Sequence, residues 1–185
     1  MARQLAIVHF KSEVERETIA LFCHEIANVE LEWNHPNTLR ITEVDQVASL
    51  DFHQLSEWLV SEMFIDHTLF LFHAIDLKMI DLLEEHIAFF DSGVYDLADV
   101  IIFSVSRRMD DFISKLHKQI TQLVGEETMR TVYEFMKAEL NQTQAAKQLY
   151  MHRNTLLYRL DHFKRITLID VSKFRGAFAI RLLHL

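Results

Sequence analysis

His152, Arg153, Asn154 and Thr155 form an unbroken run of side chains that can read nucleic acid. Arg pairs bidentately with guanine and Asn with adenine, while His and Thr hydrogen-bond to base edges or phosphates. Just upstream, Gln142, Thr143 and Gln144 follow Asn141, a good N-cap residue. Polar side chains and free backbone N–H groups therefore gather at the start of a helix, where phosphate is held well. The whole stretch, NQTQAAKQLYMHRNTLLYRL from Asn141 to Leu160, reads as two short helices around a turn at Tyr150-Met151. Ala145 and Ala146 are small enough for the helices to cross closely, and Leu149, Met151, Leu156 and Leu160 supply a shared apolar core. Arg153, Asn154, Leu157, Tyr158 and Asp161 are then outward on the second helix. The expected docking lays 141–150 across the DNA backbone and 152–163 in the major groove. Arg153 and Asn154 read bases, and Thr155, Tyr158, Arg159 and Lys164 position phosphates. Arg159 has an alternative role as an internal ion-pairing residue. A plain helical hairpin with a solvated basic face is the competing explanation.

Charge distribution supports the nucleic-acid reading. The chain carries −8 overall, but residues 1–125 hold 9 Lys and Arg against 21 Asp and Glu, whereas residues 126–185 hold 10 against 6. Phosphate neutralisation depends on the face presented rather than on the total, so the basic end is the place for DNA. The acidic part is expected to limit non-specific binding.

Other chemistry is poorly represented. Eleven His are present, yet none stands in a His-Glu-x-x-His or Cys/His arrangement at metal-ligand spacing. His67 and His73 bracket an apolar run and share a face if it is a regular strand. Glu84-Glu85 and Asp110-Asp111 are neighbours on helical patterns and do not face each other. Cys23 lies beside Phe22 and Ile26 and reads as an inert core thiol. No phosphate-cradling Gly loop or Gly-x-Ser-x-Gly elbow occurs. Phe70, Phe72, Phe89 and Phe90 mark an aromatic-rich middle, better suited to core packing than to a ligand pocket. No cofactor and no enzymatic activity are expected.

The elements that position these residues follow from periodicity. Half the residues are hydrophobic, and three Gly and one Pro leave little room for long loops. Gln4–Phe10 reads as a strand, and Ser12 with Glu15 resembles a capping box for the next helix, carried by Ile19, Phe22, Cys23 and Ile26. Val29–Trp33 and Thr38–Val44 alternate around Asn34-His35-Pro36-Asn37, which predicts a hairpin. Phe52–Met63 is helical, and Leu69–Ala74 reads as a buried strand. The order β-α-β-β-α-β is that of a split, ferredoxin-like sheet. From Asp76 the pattern turns helical, with Leu77, Ile80, Leu83 and Ile87 on one stripe and Glu84 close to it. Asp91-Ser92-Gly93 breaks the chain, and Val94–Val105 fits helix or strand equally. In Arg107–Val124, Met109, Ile113, Leu116, Ile120 and Leu123 fit either a short heptad seam or one face of a core. Gly125 ends that helix. Thr128–Leu140 follows, with Met129, Val132, Met136 and Leu140 inward.

Ala145-Ala146, Leu149, His152-Arg153-Asn154-Thr155-Leu156 and Tyr158-Arg159-Leu160 together resemble the C-terminal helix-turn-helix of the PucR family, which includes sugar-diacid regulators. The resemblance covers about residues 126–185 and extends to a closing helix ending Ala179-Ile180-Arg181-Leu182-Leu183-His184-Leu185. The stretch is similar, more distantly, to the DNA-binding end of the factor for inversion stimulation. That likeness places His152, Arg153, Thr155, Leu157 and Tyr158 at DNA-facing positions. It also implies that Tyr150 stands where many such turns carry Gly. PucR-type regulators often carry a degenerate cyclase-like domain ahead of the DNA reader. No Gly-Gly-Asp-Glu-Phe-like signature occurs here, so the resemblance implies no cyclase activity.

The expected fold class is α+β: a small N-terminal ferredoxin-like βαββαβ sheet domain (1–75), a helical connector (76–125) and an all-α helix-turn-helix domain (126–185). The expected protein is a cytoplasmic transcription regulator that binds double-stranded DNA as a homodimer, with a small-molecule effector and no membrane partner. Candidate dimer surfaces are Met109–Leu123 and Lys173–Leu185. Competing functions are a protein-interaction module, or a small-molecule sensor, with a relic helix-turn-helix.

Overall fold

The computed structural model describes residues 4–44, 50–73 and 77–184. The chain divides into two compact units, Met1–Asp96 and Leu97–Leu185.

The first unit is built on β1 (Gln4–Phe10), α1 (Arg16–Ile26), β2 (Val29–His35), β3 (Thr38–Glu43), α2 (Phe52–Ser61), β4 (His67–His73), α3 (Leu77–His86) and β5 (Gly93–Asp96). The sheet order is β2-β3-β1-β4-β5. β1 pairs antiparallel with β3 and β4, β2 pairs antiparallel with β3, and β5 lies parallel to β4. The first four strands have the expected ferredoxin-like order. The fifth extends the sheet through a helical crossover, as a parallel neighbour requires. β1 is central, which explains why Leu5, Ala6, Ile7 and Val8 are all buried rather than alternating. Ala6, Val8, Phe10, Leu39, Ile41 and Leu69 form one core with Ile19 and Cys23 of α1 and Leu55 and Leu59 of α2. Phe22 and Trp58 stack across the two helices at 3.7 Å.

Arg40 points to the opposite face of the sheet. It donates from Nε (2.8 Å) and Nη2 (2.9 Å) to the two carboxylate oxygens of Glu84 on α3, which also accept from Asn34 Nδ2. The Glu84 side chain is only 6% exposed. A charge so placed is tolerated because it is paired and multiply hydrogen-bonded. This is why an acidic residue stands beside the α3 apolar stripe.

Two expectations change in detail. Ser12 does not cap α1: the N-cap is Glu15, without a side-chain cap bond, and its carboxylate instead accepts from the Thr18 hydroxyl at 3.0 Å. The ambiguous 94–105 stretch is both things in turn, β5 up to Asp96 and then α4 (Leu97–Ser106). Of the elements after residue 76, α3 and β5 belong to the first unit, and α4 belongs to the second. The expected ends of strand and helix at Ala74 and Asp76 lie outside the described residues, as does the His73 side chain. His67 itself is buried, with Nε2 2.8 Å from the Ser56 hydroxyl and Nδ1 3.1 Å from the Ile65 carbonyl oxygen.

The second unit is helical: α4, then α5 (Asp110–Val124), α6 (Glu126–Lys137), α7 (Gln142–Gln148), α8 (Arg153–Thr167) and α9 (Phe174–Leu183). α5 buries Phe112, Leu116, Ile120 and Val124, a stripe at spacing four that faces this unit's own core. The heptad alternative for Met109–Leu123 is therefore the weaker of the two, since Leu116 and Ile120 are already covered. Gly125, at φ 84°, separates α5 from α6. α6 buries Met129, Val132 and Phe135, and it packs against α5, α7, α8 and α9. α9 packs on α4, with Arg175 and Asp99 paired at 2.6 Å. Among the described residues no helix is long and apolar enough to cross a membrane.

Candidate nucleic-acid interface

α7 starts at a well-formed cap. Asn141 Oδ1 accepts from the backbone N–H groups of Thr143 and Gln144, both at 3.1 Å. Its small buried side, Ala145 and Ala146, meets α6 and α8 with almost no exposure. The helix stops in a Schellman arrangement: Met151 N–H donates to Ala146 O (3.0 Å) and Tyr150 N–H to Lys147 O (3.1 Å). That closure needs a left-handed residue, and Tyr150 supplies it at φ 51°. The strain is accepted at a position commonly given to Gly, and the Tyr150 side chain is 99% exposed.

α8 begins immediately. His152 is its N-cap, with Nδ1 accepting from the Asn154 N–H at 3.2 Å. Leu156, Leu160 and Phe163 turn inward, leaving His152, Arg153, Asn154 and Thr155 exposed around the first turn. Arg153 reaches back to α7, donating from Nε (3.2 Å) and Nη2 (2.7 Å) to Gln142 Oε1. The two helix starts are thus joined by a side-chain bridge that orients the guanidinium. Gln142 is half-buried, and Thr143 and Gln144 are exposed beside it. Tyr158 is also outward, 65% exposed, with its ring parallel to that of His162.

Two expected contact residues are engaged elsewhere. Arg159 turns to α6, where Nη1 donates to Thr131 Oγ1 at 3.0 Å and to Glu127 Oε2 at 3.1 Å, and only 26% of its side chain is exposed. The structure therefore realises its alternative, internal role. Lys164 pairs with Asp170 at 2.8 Å beyond the end of α8. That bond, with those from Ser172, holds the Asp170 carboxyl down at about 2. Sequence reading missed Glu127 and Thr131 as the residues that fix α8 on α6. They lie 32 and 28 positions from Arg159, beyond any helical spacing signal. It also missed His152 as a cap.

A capped short helix, a tight left-handed turn and a second helix with an exposed polar first turn define a helix-turn-helix module. Its kind is equally plain: residues 128–184 match the PucR C-terminal helix-turn-helix domain. A 64-residue stretch is 36% identical to the uncharacterized protein YxkF of Bacillus subtilis (strain 168), covering 34% of this chain and 22% of that protein. The chain is also similar to a regulator of polyketide synthase expression from Bifidobacterium adolescentis, at 16% identity and a TM-score of 0.48, over 99% of this chain and 79% of that one.

Proposed function

We propose that this protein is a sequence-specific DNA-binding transcription regulator acting in the cytoplasm, with α8 as its recognition helix. The exposed first turn of α8, with Arg153 held by Gln142, carries this reading. Arg153 and Asn154 read base edges. Gln142, Thr143, Gln144, His152, Thr155 and Tyr158 contact the sugar-phosphate backbone or flanking bases. Arg159 acts from inside the unit as a clamp, and Lys164 staples the turn after α8 from the surface. One module of this size covers few base pairs, so the protein works as a homodimer on a two-fold site. Phe174 and Phe178, exposed and ring-parallel on α9, favour the closing helix over α5 as the dimer surface. The acidic N-terminal sheet unit serves sensing or dimerisation.

The test is fluorescence-anisotropy binding to DNA upstream of the protein's own gene and to scrambled DNA across a salt series. Sequence-preferring binding should weaken with salt, and Arg153→Ala should cost about 1–3 kcal/mol. Absence of binding at low salt, by both the folded chain and the isolated second unit, rejects the reading. Light scattering at micromolar concentration tests the dimer, and a strict monomer rejects it.

A further inference from the structure

Away from the α7–α8 turn, three helices of the second unit bring together an aromatic and cationic group that the DNA-reading role leaves unused. His117 on α5 has Nε2 2.8 Å from the Tyr133 hydroxyl on α6. The Tyr133 ring stacks on His184 at the end of α9, with centroids 4.0 Å apart and 24° between planes. Beside this stack opens a cavity of about 330 Å³ lined by Tyr133, Met136, Lys137, Arg181 and His184. Among the described residues that line it there is no carboxylate. An adjoining recess shares Tyr133, Lys137 and His184 and adds Arg130, along with Glu126 and Glu134.

The cations are not fully accounted for by the fold. Lys137 is held by Glu134 at 2.7 Å. Both Lys137 and Arg181 stand in the last turn of their helices, where they offset the negative end of the helix dipole. That role requires neither a cavity nor an aromatic floor. The Arg181 side chain makes no hydrogen bond or ion pair among the described residues, and a free guanidinium fork suits an oxygen acid. Burial pushes the Tyr133 phenol up to about 12, so the floor adds no negative charge. Thr121, which lines the adjoining recess, has a buried hydroxyl with no partner among the described residues.

We propose that this cavity binds a small organic anion, whose acid group meets Arg181, Lys137 and His184 and whose remainder lies on Tyr133 and Met136. The carboxylate and phosphoryl classes share this chemistry. The volume falls at the small end of ligand sites, which fits a metabolite rather than a polymer. α6 links the site to the recognition helix, because it also carries Glu127 and Thr131, the residues that hold Arg159. Occupancy therefore bears on the helix against which α8 is set. The binding claim stands independently of DNA recognition.

The experiment follows the ring C–H signals of His117 and His184 by NMR in the full chain. Inorganic phosphate and malonate are titrated separately at constant ionic strength near about pH 6.5, with chloride as reference. Saturable shifts of both signals are expected with at least one probe, and which probe saturates assigns the phosphoryl or the carboxylate class. Arg181→Ala should weaken that binding about tenfold or more, and Arg181→Lys should recover part of it. Arg181 is exposed, so neither variant strains the fold. Drift that matches chloride, or equal affinity in Arg181→Ala, overturns the proposal. So does a short DNA duplex that shifts His184 when neither small anion does, which would assign the surface to nucleic acid.

Discussion

Gly176→Ala sets two physical effects of opposite sign against each other. Gly176 lies in the first turn of α9. Ala is the better helix former by about 0.8–1.0 kcal/mol, so propensity alone makes the variant more stable. Packing argues the reverse. A Cβ at this position would fall 2.7 Å from the Asp170 carbonyl carbon, inside contact distance of its oxygen, and 3.1 Å from Ile169 Cγ2. Ordinary carbon contacts are about 3.5–4.0 Å, so the backbone must give by nearly an ångström. It cannot give freely, because Asp170 O accepts from the Lys173 N–H at 3.0 Å, and the Asp170 side chain is tied to Lys164 and Ser172. Overpacking costs about 1–3 kcal/mol, and a weakened hydrogen bond adds about 1 kcal/mol. The net expectation is a loss of about 1–3 kcal/mol after propensity is credited. For a unit of about 90 residues each kcal/mol corresponds to a Tm shift of roughly 4–8 °C. The assay is urea and thermal unfolding of the full chain followed by circular dichroism, with the second unit's transition resolved by helical signal. Gly125→Ala is the control: nothing lies within 4 Å of its would-be Cβ, and only the φ of +84° opposes it. A Gly176→Ala protein as stable as wild type, or more so, would refute the close approach of α9 to the 169–170 backbone.

Glu84→Ala should destabilise the first unit by about 1–3 kcal/mol, because it removes the two closest acceptors of the Arg40 guanidinium and leaves it the more exposed Glu32 and Asp81, whereas the double change Arg40→Met with Glu84→Leu should come close to neutral in denaturant titration. Asp170, with its carboxyl held at about 2 by Lys164 and Ser172, is depressed below its unfolded value. Its contribution is present above the ordinary carboxylate range and is lost as pH falls towards about 2, so Asp170→Asn should flatten the acid limb of the unfolding midpoint between about pH 4 and about pH 2. Solvent screening keeps this effect small. Burial pushes the Cys23 thiol up to about 11, leaving about a hundredfold less thiolate than an ordinary cysteine. Ellman's reagent should therefore label it only on unfolding, and fast labelling of native protein would show α1 to be open. Replacing His152 by Ala removes the α8 cap and should cost about 0.5–2 kcal/mol, read from the unfolding of the second unit.

Local signals made the hairpin legible. Pro36-Asn37 leaves the chain no continuation as a strand, and the alternation on either side fixes the register. Asn141, the two alanines and the polar run from His152 were equally readable, because capping and close crossing depend on residues a few positions apart. What was not legible depends on distant partners. Leu97–Ser106 is apolar on nearly every side because it is largely buried, and a helix of that kind shows no period to separate it from the strand before it. Ser12 satisfies the capping pattern, yet helical backbone begins only at Arg16, a choice that local chemistry leaves open. Arg159 occupies a position on α8 that periodicity leaves ambiguous, and Glu127 and Thr131 decide it from another helix. The Tyr133 cluster joins residues from three helices, and no motif announces it.

The left-handed turn at Tyr150 is one instance of a wider habit. Phe64, Arg108, Glu139, Leu140 and Leu168 also hold φ between 54° and 63°. With three Gly in the whole chain, conformations that glycine would adopt without penalty are borne by side chains that resist them. The molecule therefore folds short of the thermal tolerance its own backbone permits. For protein engineering, the exposed members of this set, Phe64 and Tyr150 above all, are sites where glycine would raise the melting point without touching either core.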